Sequence, residues 1–65
     1  MRVQRTTYLG WPDYPVYHVY NYKDYCVVAE WMRQNECDEF LLGSGPDGYT
    51  FQVKKNHDWF VLRWV

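Results

Sequence analysis

An α+β fold, with a single helix packed on one face of a small antiparallel sheet in the order β-β-α-β-β-β, is the architecture this chain predicts. Three observations carry that expectation. Sixty-five residues leave room for one core and one domain, spanning 1–65. Segments rich in Val, Thr, Tyr and Phe alternate with clusters of Gly, Pro, Asn and Asp, the punctuation of a small sheet. One stretch alone combines helical spacing of apolar residues with a capping residue at its start.

Taken in order, residues 2–9 (RVQRTTYL) read as a first strand. Gly10 to Pro15 then reads as a turn, because two prolines flanking Asp13 leave little capacity for ladder hydrogen bonds. Residues 16–20 (VYHVY) return to strand composition and are expected to pair with the first segment as a hairpin. Along this stretch Tyr14, Tyr20, Val16 and His18 share one parity, and Tyr17 points the other way. Tyr22 is expected to continue the first set.

The helix is expected over residues 22–35. Asn21 is placed to cap it, and Asp24 three residues later suits both a capping box and the positive end of the helix dipole. Tyr25, Val28, Ala29 and Met32 fall on one face at 100° per residue, with Val27 and Trp31 on its flank. Tyr25, Val28 and Met32 are the expected core contacts. Val27 and Trp31 form an i,i+4 pair that covers an edge or meets a partner.

The remainder predicts an antiparallel meander. Strand 39–43 (EFLLG) leads into Ser44-Gly45-Pro46-Asp47-Gly48, a turn in which Pro fixes φ and Gly accepts positive φ. Strand 49–54 alternates, with Tyr49, Phe51 and Val53 on one face and Thr50, Gln52 and Lys54 on the other. Residues 55–58 form the next turn, and 59–65 the last strand. That strand is apolar on both faces, Phe60, Leu62 and Trp64 against Trp59, Val61, Arg63 and Val65. One helix covers one face of such a sheet, so the other should be partly open and lined by Trp59 and Val61, with Tyr17 and Val19.

Composition narrows function mainly by exclusion. Seven basic against eight acidic residues give a net charge of −1, without the basic stripe that a dedicated nucleic-acid binder carries. No run approaches the roughly 18 apolar residues of a membrane span, and no secretory signal is visible, so a reduced, cytoplasmic setting is expected. Cys26 and Cys37 lie apart and lack the close spacing of a zinc site. Cys26 reads as a small buried hydrophobe, and His18 as a hydrogen-bonded structural histidine. His57 and Asp58 adjoin in a turn with no nucleophile beside them, and Ser44 fits neither a nucleophile elbow nor a phosphate loop. No enzyme activity, cofactor or metal is expected.

The positive signal is aromatic. Seven Tyr, four Trp and three Phe make 22% of the chain, more than a core this small can hide. Tyr and Trp left at the surface are the residue types that dominate binding hot spots. The expected function is therefore a stand-alone protein-interaction module, a stoichiometric inhibitor or modulator of a larger protein or complex. Phages and other mobile elements use such proteins against host enzymes. Trp31, Val27, Trp59, Val61 and Tyr17 are the expected partner-binding residues, together with the acidic cluster Glu36, Asp38 and Glu39. Two other classes are in play: single-stranded nucleic acid stacked on an aromatic sheet face, and self-assembly such as a homodimer.

Overall fold

A computed structural model describes residues 2–8 and 11–65. Six elements follow along them: β1 (Gln4–Tyr8), β2 (Trp11–Val19), α1 (Tyr22–Gln34), β3 (Glu39–Gly45), β4 (Gly48–Val53) and α2 (His57–Trp64). The strands form one antiparallel sheet in the order β1-β2-β4-β3, which leaves β1 and β3 at its edges. The α+β class and the β-β-α-β-β succession match the expectation from sequence. The sixth element does not, being a helix.

The hairpin of β1 and β2 closes more tightly than the two prolines suggested. Tyr8 lies opposite Trp11, so β2 already runs through Pro12 and Pro15. Leu9 and Gly10, where the sequence placed the strand end and the start of the turn, lie outside the described residues. Two features make the prolines tolerable. The β1–β2 register shifts between Thr6 and Tyr8, and β4 pairs with β2 only from Val16 to Val19. Residues 11–15 thus have one side without a described partner, where a missing N–H costs no ladder bond.

Helix α1 begins as the caps require. The Asp24 N–H donates to Asn21 Oδ1 at 2.9 Å, and the Asn21 amide returns a bond to the Asp24 carboxylate at 3.0 Å. Its end is a Schellman closure: the Cys37 N–H reaches the Met32 carbonyl at 2.9 Å, and the Glu36 N–H reaches that of Arg33 at 3.4 Å. Glu36 therefore takes a left-handed φ of 55°. Val28, Ala29 and Met32 are buried, and Tyr25 is half-buried, stacked on Tyr49 at 4.9 Å.

Residues 57–65 were expected to make a turn and a strand, but 57–64 coil instead. Phe60 and Trp64 are four residues apart, so a helix aims both inward while Leu62 turns out. Asp58 in its first turn and Arg63 in its last suit the dipole. Asn56, at φ 54°, starts the helix without capping it. Its amide instead donates to the carbonyls of Asn35 and Glu36, at 3.3 and 3.0 Å, tying the start of α2 to the end of α1.

Both helices cover the same sheet face. Tyr17, Val19, Phe51 and Val53 from the strands pack with Val28, Met32, Cys37 and Phe60 into one buried cluster. Tyr17 meets Phe60 at 4.6 Å between ring centres, and Phe51 meets it at 6.0 Å. The opposite face carries His18, Tyr20, Thr50, Gln52 and Phe40, by strand alternation from the paired register. It is the partly open face the sequence anticipated, with a different lining: Phe40 is half exposed, whereas Val16, opposite Gln52 on the same face, is buried. Tyr17 and Val19 belong to the core rather than to the open face, because α2 supplies a second covering helix on their side. The side chain of Tyr14 lies outside the described residues, and Tyr22 enters α1.

Candidate interaction surface

Of the eight residues singled out from sequence, the apolar ones except Tyr17 lie on the two helices. Val27 is 50% exposed on α1, one turn before Trp31. Trp31 is half-buried and reaches across to α2, standing at 90° to Trp64 with ring centres 6.0 Å apart. It also meets the edge of Phe60 at 6.3 Å. Trp31 is thus a strut between the helices more than a free anchor. The Trp64 indole N–H is sealed from solvent with no acceptor among the described residues, and the Arg63 guanidinium lies 4.0 Å over its ring.

The outer side of α2 is where large apolar groups stand clear of the protein. Trp59 is 62% exposed, Leu62 79% and Val65 68%. Steps of three residues keep them on one stripe of the helix. Val61, also singled out, is half-buried beside that stripe. Leu62 was not singled out, because a strand reading puts it on the face opposite Trp59 and Val61; Val65 shares their face in that reading but was not named with them. Helical spacing of Phe60 and Trp64 was the signal that would have found them.

Tyr17 is withdrawn from the surface. It is 1% exposed, and its hydroxyl is 2.6 Å from His57 Nε2 and accepts from Arg5 Nη1 at 3.3 Å. The expected turn residue His57 becomes the first residue of α2. Burial lowers its pKa, with Arg5 adding to the effect and Asp58 opposing it.

Glu36, Asp38 and Glu39 do come together. With Arg33, Lys55 and Asn56 they line an open groove of about 630 Å³ where α1, β3 and the start of α2 meet. Asp38 shares the left-handed backbone of Glu36, at φ 53°. Glu39 Oε2 is buried without a donor among the described residues, and the pKa of the Tyr25 hydroxyl beside this carboxylate is pushed up to about 12, first by burial and then by its hydrogen bond with Glu39. The groove's acids face Arg33 and Lys55 at its rim, so it is a mixed-charge surface rather than a purely acidic one.

Cys26 is not the buried hydrophobe expected. Cys26 is exposed, and Cys37 is buried in the core, where burial raises its thiol pKa. Position decides this: Cys26 stands on the outer side of α1, and Cys37 follows the Schellman turn inward. His18 is the hydrogen-bonded histidine expected of it. Nε2–H donates to the Asp47 carbonyl at 2.8 Å, which leaves Nδ1 to accept from the Thr50 hydroxyl at 2.9 Å.

Compared with known proteins, the chain matches no family model, and no curated protein and no solved structure is significantly similar to it.

Proposed function

We propose that this chain is a protein-binding module that docks a larger protein through the outer stripe of α2. The observation that supports this is the alignment of Trp59, Leu62 and Val65, each more than half exposed, along one side of a short helix. Scattered apolar residues are ordinary on a surface, whereas an aligned stripe with a Trp is the usual composition of a helix that enters a partner's groove. Val61 lies beside the stripe on the same helix, and the mixed-charge groove reaches Asn56 at the start of α2. A stoichiometric modulator needs no more chemistry than this.

Stacking of nucleic acid on the open sheet face is the weaker reading. His18 and Tyr20 stand edge to face there, with both His18 nitrogens and the Tyr20 hydroxyl engaged by neighbours. Lys54 is the cation seated over Phe40 on that face.

Affinity capture with the wild-type chain, Trp59→Ala, Leu62→Lys and Phe40→Ala tests the assignment. A bound protein should be retained by wild type and Phe40→Ala, and lost from the two α2 variants. Each α2 substitution should cost about 2 kcal/mol or more in binding, and less than about 0.5 kcal/mol in folding stability. Capture that ignores both α2 variants would overturn the reading. Light scattering across a hundredfold concentration range separates a second copy from a different partner.

A further inference from the structure

We infer that His57 is a proton-operated latch, holding α2 on the sheet through Tyr17 when neutral and letting the helix loosen when protonated. The partners of the Tyr17 hydroxyl assign the protons. Its oxygen accepts from Arg5 Nη1 at 3.3 Å, so the phenol proton needs an acceptor of its own. His57 Nε2, at 2.6 Å, is the acceptor in place, which puts the ring proton of neutral His57 on Nδ1. Tyr17 is 1% exposed, so water is a poor substitute for that acceptor.

Protonation at Nε2 removes the lone pair on which this contact depends. Nε2–H then points at an oxygen already engaged by Arg5, and the buried phenol proton loses its acceptor. Two cations would converge on one oxygen. The charged and titratable groups facing His57 are Arg5 from β1, Tyr17 from β2 and Asp58 on α2 itself. Arg5 and the Tyr17 donor oppose the imidazolium, and Asp58 favours it. Burial acts with Arg5, and together they hold the pKa below the ordinary histidine range.

The sign follows from linkage. A histidine depressed in the folded state stabilises that state fully above its unfolded pKa, near 6.5. That contribution declines as pH falls below this value and is gone below the folded pKa. His57 is the first residue of α2, which is also held by Phe60 in the core, by Trp64 against Trp31 of α1 and by the Asn56 amide on the end of α1. The effect should therefore appear as a loss of protection that is larger in α2 than in α1. The latch needs no partner, so its test is independent of the docking proposal.

Amide exchange and histidine-ring NMR on the intact chain, between pH 7.5 and 5, provide that test. Protection factors at Phe60–Trp64 should fall roughly tenfold for each unit by which the folded pKa lies below the unfolded one. Those of α1 should fall less. Arg5→Gln should raise the His57 titration and shrink the fall, and His57→Gln should abolish it. If His57→Gln does not fold, Arg5→Gln still decides the matter. A His57 titration at or above 6.5 in the wild-type chain, or an α2 protection indifferent to pH or to Arg5→Gln, overturns the latch.

Discussion

Gly48 adopts φ +119°, and a Cβ built there would sit 2.3 Å from the Val19 carbonyl oxygen and 2.8 Å from His18 Nε2. The first clash is with backbone, so it cannot be relieved by a rotamer change. Gly48→Ala should cost about 3 kcal/mol, measured by urea denaturation, and should disturb the His18 contact with Asp47. An unchanged midpoint would show that the β3–β4 turn has another accessible shape. Glu36 presents the opposite case. It occupies a left-handed position at the end of α1 that glycine fills without steric cost, at φ 55°. Glu36→Gly should raise stability by about 0.5–1 kcal/mol, read as an upward shift in Tm, and no gain would mean the Glu side chain has a compensating contact. Turn glycine 48 was legible from Pro46-Asp47-Gly48. The strain at Glu36 was not, because no residue type there announces a left-handed bend.

At the scale of elements, α1 was readable because its signals are local. Asn21, Asp24 and the Val28–Met32 spacing lie within a few turns of one another, and the bonds they imply are present. Asn21→Ala should cost about 1 kcal/mol, with the loss confined to exchange protection of the first turn of α1 and to overall stability. The last element was misread because six of the seven residues 59–65 are apolar, enough to satisfy either period. Alternation was already imperfect there, and the i,i+4 pair Phe60 and Trp64 is the spacing that favours a helix. Proline misled in the other direction at β2: Pro12 and Pro15 forbid a central strand, but not one whose neighbour stops at Val16.

For the molecule as a whole, the two helices share one core and differ in what they expose. Phe60 is fully buried among Tyr17, Trp31 and Phe51, whereas Leu62 two residues on is 79% exposed. Phe60→Ala should cost about 3–5 kcal/mol. That is comparable with the total stability expected for a chain of this length, at about 0.05–0.15 kcal/mol per residue, so the variant should be largely unfolded by circular dichroism. Leu62→Ala should stay within about 0.5 kcal/mol of wild type. A large loss from Leu62→Ala would show that the outer stripe is structural and remove the basis for docking there. Trp31→Ala should behave more like Phe60→Ala than like Trp59→Ala, since its ring braces α1 against α2.

Sequence alone determined the α+β class, the bounds of α1 within a residue, the β3–β4 hairpin and the excess of surface aromatics. These follow from length, from contacts a few residues apart, and from the limited core of a 65-residue chain. Tertiary structure decided which aromatics are inside. Tyr17 is buried where the sequence put it on the open face, and Cys26 is exposed where it read as buried, because burial depends on which face receives the helices. It also decided that Tyr17, His57 and Arg5 meet, from three elements up to 52 residues apart in the chain. Pairings across such separations are set by strand register and helix placement, and no local pattern in the chain encodes either.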